Sequence, residues 1–219
     1  YANAMVGSSP GGGGVGASAS GGGGGVGVVV DGFDGQVIIT WTPTPAISNI
    51  CFPAGTPITS DQGPITIECL KPHVHTIHGQ PLLHITQTVT LDPYLICFEK
   101  HALYYNCPTQ RTLMTKDHQI EFNGQLVPAE RFLHYSPKVK KVKYSGEILY
   151  NVLLANYGTM TVNGLLCETL HPKNIIAKLY TGKFSEARRQ NLIMQLNTSL
   201  QQGDLPTYKS IVHTLQHGL

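Results

Sequence analysis

The chain has 219 residues, a formal net charge of +2 at pH 7 and 13% charged side chains. That balance creates no strong field, so neither nucleic acid nor a membrane surface is implied as a partner, and no apolar run approaches the roughly 18 residues of a membrane-spanning helix. More than half of the glycines precede position 36, which leaves about 170 residues from position 51 onward, enough for one self-sufficient core.

The chain opens at Tyr1 without Met or a secretion signal and reads as a fragment of a longer product, so its compartment is left open. Residues 7–27 are almost all Gly, Ala, Ser and Val. Such a tract buries too little apolar surface to offset its ordering entropy unless it packs in a repeated array. A flexible linker and a fibre-like segment of an extracellular, virion or cell-surface protein fit it equally well. Two β-branched runs around Asp31-Gly32-Phe33-Asp34-Gly35 predict a hairpin over 28–41, and Thr42-Pro43-Thr44-Pro45 predicts an extended linker.

From 51 to about 172 short apolar, β-branched runs alternate with turn signals, among them Asp61-Gln62-Gly63, Asn123-Gly124 and Asn163-Gly164. Asn-Gly between such runs is a strong hairpin signal, and this segment is expected to be all-β. The run Lys138-Val139-Lys140-Lys141-Val142-Lys143 reads as an exposed edge strand whose lysines discourage further pairing. Two helical patterns follow. Ser185 caps the first, which runs to about Gln202 with Leu192, Leu196 and Leu200 on one face; Gly203-Asp204 breaks it, and Pro206 opens a shorter one carrying Ile211, Val212 and Leu215. The expected division is therefore a flank over 1–50, an all-β domain over 51–172 and a helical hairpin over 173–219.

Five cysteines stand in the chain, none in a CxxC pair, so no structural zinc site is expected. Cys69 and Cys97 have apolar neighbours and are expected in the core, while Cys107 and Cys167 are less clear. In His73-Val74-His75-Thr76-Ile77-His78 the first two histidines would share a strand face. No carboxylate or Cys completes a ligand set nearby, so solvated histidines are expected, with no metal and no cofactor.

Cys51 stands where the glycine-rich tract gives way to ordinary globular sequence, in Ile50-Cys51-Phe52-Pro53-Ala54-Gly55-Thr56-Pro57-Ile58. Far downstream come Thr115-Lys116-Asp117-His118 and, later, Tyr150-Asn151-Val152-Leu153-Leu154 and Thr161-Val162-Asn163-Gly164-Leu165-Leu166. Each alone has a structural explanation. Together, in this order, they resemble the HINT superfamily, shared by inteins and the autoprocessing domain of hedgehog proteins, over about residues 51–170.

The resemblance implies an all-β, horseshoe-like HINT fold with the helical hairpin as an extension. It also implies self-catalysed processing. Cys51 attacks the Ile50 carbonyl in an N-to-S acyl shift, His118 protonates the departing nitrogen and Thr115 holds the scissile peptide or its oxyanion. The covalent neighbourhood of thiol and carbonyl gives the nucleophile a very high effective concentration. The substrate is then the chain's own N-terminal flank, cut between Ile50 and Cys51, and the acceptor is water or a small nucleophile.

Splicing inteins finish with His-Asn after the last hairpin; here those positions read Glu168-Thr169, and Thr has no amide to cyclise. Cleavage rather than splicing is expected, the alternatives being splicing by an unusual C-terminal route and an inactive HINT fold that serves as a structural or binding cap on a glycine-rich, fibre-like protein. Hedgehog domains activate the acceptor with a carboxylate between the first two motifs. Asp92, before Pro93, is the candidate here, and a plain turn residue fits that position as well.

Overall fold

A computed structural model describes residues 50–217; the hairpin expected over 28–41 and the linker after it lie outside them. Thirteen strands form in chain order: β1 (Phe52–Pro53), β2 (Pro57–Ser60), β3 (Gly63–Thr66), β4 (Thr76–Ile77), β5 (Gln80–Thr88), β6 (Tyr94–Phe98), β7 (Thr112–Met114), β8 (Gln119–Phe122), β9 (Gln125–Pro128), β10 (Val139–Lys143), β11 (Leu149–Leu154), β12 (Thr159–Val162) and β13 (Leu165–Glu168). They build three sheets, ordered β1-β11-β5-β4, β10-β6-β7 and β3-β2-β12-β13-β8-β9. Every pairing is antiparallel.

Local turn chemistry sets the hairpins. Asn123 and Gly124 sit at φ 52° and 76° between β8 and β9, and Asn163 and Gly164 at 51° and 85° between β12 and β13. Both pairs occupy the left-handed region that a two-residue hairpin turn needs and that Asn and Gly tolerate best. The Lys-rich run is β10, at the edge of its sheet and paired only with β6. Glu99 takes Lys140 at 2.7 Å and Glu130 takes Lys141 at 3.2 Å.

The main core gathers alternate residues of all three sheets, including Phe52, Ile58, Ile96, Phe98, Met114, Ile120, Val152 and Val162. Cys97 is buried, as expected, but Cys69 is exposed. Ile67–Cys69 is a single 3₁₀ turn in which Ile67 points inward, and Leu70 after it does the same, so the thiol between them is turned out. The histidine run also differs from expectation. His73 and His78 hold left-handed backbone at φ 63° and 50°, and only Thr76–Ile77 is strand, so His73 and His75 share no strand face.

Three helices follow rather than two: α1 (Ile175–Thr181), α2 (Glu186–Gln201) and α3 (Leu205–His217). Ser185 caps α2 as expected, its Oγ accepting from the Arg188 N–H at 3.3 Å. The additional helix is capped by Asn174, whose Oδ1 accepts from the Ile176 N–H at 2.8 Å. Seven residues long and opened by two isoleucines, α1 has too little periodic pattern to announce itself. Burial settles its conformation: Ile175, Ile176, Ala177 and Leu179 form a second apolar cluster with Leu153, Leu170, Ile193, Leu196, Tyr208 and Leu215. A fully buried Leu or Ile of this kind contributes about 1.5–3 kcal/mol. No helix among the described residues is long and apolar enough to cross a membrane.

Candidate active site

Cys51 immediately precedes β1, the edge strand that pairs with β11 through Phe52 opposite Tyr150. The residue is fully buried, in a small cluster with Leu95 and Leu149 against which Leu113 and Tyr144 pack. Its backbone is pinned by Thr115, the residue that follows β7. The Cys51 N–H donates to Thr115 Oγ1 at 2.9 Å, and the Cys51 carbonyl accepts from the Thr115 N–H at 3.0 Å. The peptide bond between Ile50 and Cys51 is held from its other side by β11, where Asn151 Nδ2 donates to the Ile50 carbonyl oxygen. Asn151 is fully buried, and its Oδ1 accepts from the Val152 N–H at 2.7 Å, which fixes the orientation of the amide.

Thr115–His118 is a tight turn closed by the His118 N–H on the Thr115 carbonyl at 3.2 Å. Bonds from Ala129 N–H to the His118 carbonyl (2.8 Å) and from Glu130 N–H to the Lys116 carbonyl (2.9 Å) brace it. The His118 ring stands 4.3 Å from the Phe52 ring, and its Nε2 lies 3.1 Å from the Glu168 carbonyl oxygen at the end of β13. A carbonyl only accepts, so Nε2 carries the proton and Nδ1 offers a lone pair. That Nδ1 is buried and unpartnered. Burial pushes the imidazole down to about 3, opposed by the Glu168 carbonyl, so the ring is neutral at rest.

Thr115 after β7 and Asn151 on β11 thus hold one peptide bond, while the Glu168 carbonyl closing β13 holds the His118 ring beside Phe52. Cys51, Thr115 and His118 stand together, joined through β1. Asp92 enters only at the rim, where its carboxylate pairs with Lys116 Nζ at 2.9 Å and receives a bond from Thr90 Oγ1 at 3.4 Å. Lys116 is held above its ordinary range, chiefly by that bond to Asp92.

Asn151 lies in the stretch 150–154, where nothing in the sequence assigns it a role. The contact spans 101 positions, and no local pattern marks a strand Asn as a donor to a distant carbonyl. Two tyrosines stand around this part of the fold. Tyr144 packs on the Cys51 cluster, and Tyr180 of α1 carries a hydroxyl that accepts from the Gln87 N–H at 2.8 Å. Both phenols are raised, mainly by burial and in smaller part by the carboxylates of Glu147 and Glu186 respectively.

At the end of β13 Glu168 is nearly buried, its carboxylate bonded by Tyr157 Oη at 2.8 Å and by the Gln119 N–H at 3.1 Å, and burial raises its pKa. Thr169 spends its hydroxyl on Gly158, accepting from the N–H at 3.2 Å and donating to the carbonyl at 3.1 Å. Among the described residues, no group of three or more His, Cys, Asp or Glu is gathered to hold a metal ion.

The sequence model of the Hint domain family matches residues 50–174, from the residue before Cys51 to the cap of α1. The chain belongs to the Hint domain family. Among solved structures, this Hint domain is similar to a bacterial intein-like domain from Clostridium thermocellum, at 16% identity over 55% of this chain and 98% of that one, with a TM-score of 0.42. It is also similar to a GSH-linked, splice-inactive variant of the AceL NrdHF class 3 split intein, at 12% identity over 54% of this chain and 96% of that one, with a TM-score of 0.34. No curated protein matches the chain in sequence. Self-processing, by cleavage or splicing, is the activity of the Hint and intein class to which the chain belongs.

Proposed function

We propose that this Hint domain cuts the chain between Ile50 and Cys51 by an N-to-S acyl shift and resolves the thioester by hydrolysis or transfer, without splicing. In this reading residues 1–50 are the leaving fragment, 51–172 the processing domain and 173–219 a helical extension. The observation that carries it is the polar bonding of one peptide link, with Asn151 Nδ2 on the Ile50 oxygen and Thr115 Oγ1 on the Cys51 N–H.

Cys51 Sγ attacks the Ile50 carbonyl carbon, and the carbonyl oxygen gains negative charge where the Asn151 amide already donates. A donor fixed in advance costs no reorganisation when that charge appears. The thiol proton passes to the unpartnered Nδ1 of His118. The imidazolium formed there is costly in a buried site, so it readily returns the proton to the Cys51 nitrogen as the carbon–nitrogen bond breaks. A thioester and a free amine result. Water or an added nucleophile then takes the acyl group, restoring the thiol and leaving the upstream chain as a carboxylic acid or an adduct. Asp92 and Lys116 border the turn, and Asp92 is the group proposed to orient the acceptor. Thr169 has no amide to cyclise, and its hydroxyl is committed to Gly158, which favours cleavage over splicing.

The test is a gel of the full chain carrying an N-terminal tag, with and without hydroxylamine. Release of a tagged fragment ending at Ile50, accelerated by hydroxylamine and abolished in Cys51→Ala, is the expected result. An intact chain under all conditions rejects the reading, and a product joining residues 1–50 to a segment beyond the domain replaces it with splicing.

A further inference from the structure

The side chain before the scissile bond packs on an apolar cluster built largely from residues beyond the Hint match. That match ends at residue 174, and α1 begins at Ile175. Ile50 is half-buried and packs on the apolar cluster that Leu153 and Leu170 build together with Ile176, Leu179 and Tyr180 of α1. We propose that α1 supplies the recognition pocket for the side chain at position 50, selecting a branched aliphatic residue there and thereby holding its carbonyl against Asn151. The inference rests on the self-processing reading and adds to it the specificity of the same site.

The pocket is built rigidly. The Tyr180 hydroxyl accepts from the Gln87 N–H on β5. Gln87 lies opposite Tyr150 on β11, and Tyr150 opposite Phe52 on β1, so the tether runs along the sheet that presents Cys51. The Arg189 guanidinium covers the Tyr180 ring at 4.6 Å, and its Nε donates to the Leu179 carbonyl at 3.1 Å, which ties α2 to the end of α1. An apolar wall so fixed rewards an Ile, Leu or Val side chain by burial. A small residue leaves it unfilled, and a carboxylate loses water without gaining a partner. Because Ile50 Cα carries both the side chain in the pocket and the carbonyl at Asn151, misfit of one displaces the other.

The experiment uses the tagged full chain with Ile50→Val, Ile50→Ala and Ile50→Asp, read as the initial rate of cleavage in saturating hydroxylamine. Ile50→Val is expected within about twofold of the native rate and Ile50→Asp at least about tenfold slower, from burial lost and a charge desolvated. In parallel, hydrogen exchange is followed in the uncleavable Cys51→Ala chain, where adding Ile50→Asp is expected to speed exchange over α1 and leave the β8–β9 hairpin unchanged. Equal rates across the series, with unchanged α1 exchange, overturn the pocket while leaving self-processing intact. If the native chain shows no cleavage at all, the self-processing reading falls. Exchange then decides the pocket alone, with faster α1 exchange supporting it and unchanged exchange rejecting it.

Discussion

Asn151 commits both ends of its side chain, donating to the Ile50 oxygen and accepting from the Val152 N–H. Its removal therefore has two readouts. Asn151→Ala should slow hydroxylamine-trapped cleavage by about 10²–10³, the usual cost of losing one oxyanion donor. It should also lower stability by about 1–3 kcal/mol through the orphaned Val152 N–H, so rates are compared at a temperature where denaturation curves show both chains folded. A cleavage rate within twofold of the native one refutes the oxyanion role. At His118 the expected loss in His118→Ala is about 10²–10⁴, the range of a positioned acid or base. Normal cleavage by that variant would show the ring to be structural, a spacer between Phe52 and Glu168. These two residues differ in how they could be found. His118 was legible because it sits in a short block with Thr115. Asn151 acquires its role only when β11 pairs with β1 and brings its amide to a carbonyl 101 positions away.

Among the elements, the hairpins were legible because their chemistry is local. Gly164 and Gly124 occupy equivalent turn positions, at φ 85° and 76°, yet their surroundings differ. A Cβ on Gly164 would meet the Asn106 carbonyl oxygen at 3.1 Å, and one on Gly124 would meet nothing within 4 Å. Gly124→Ala should cost about 1–2 kcal/mol for left-handed backbone alone, and Gly164→Ala measurably more, as read from denaturant midpoints. Equal losses would mean that the loop holding Asn106 yields freely. The first long helix pattern and its Ser185 cap were equally readable, and Ser185→Ala should cost about 1 kcal/mol. The short helix α1 was not. Its isoleucines suit a strand as well as a helix, and what selects helix is the apolar cluster on which Ile175 and Ile176 close. Cys69 fails for a related reason, since apolar neighbours in sequence do not face the same way within a single 3₁₀ turn.

For the molecule as a whole, His118 ties folding to proton uptake. Its folded pKa of about 3 lies below the ordinary 6.5. Between those values the unfolded chain binds a proton that the folded chain refuses, so stability falls as pH drops below 6.5, by about 2 kcal/mol at pH 5 from this group alone. Urea denaturation of the uncleavable Cys51→Ala chain should therefore weaken more steeply from pH 7 to pH 5 than that of the same chain with His118→Gln. Parallel losses would show that the histidine reaches solvent. The sequence by itself determined the all-β segment and its hairpins and two of the three helices. Those follow from residues a few positions apart, where turn preferences and periodicity act, whereas the grouping of Cys51 with Thr115, 64 positions away, and His118 was offered only by the family resemblance. The tertiary structure alone decided that Asn151 donates to the Ile50 oxygen, that Asp92 is engaged by Lys116, that Thr169 spends its hydroxyl on Gly158, and that Ile50 packs on the apolar cluster to which α1 contributes. The physical reason is common to all four. A hydrogen bond or an apolar contact depends on distance in space, and only the closed fold brings those groups within reach.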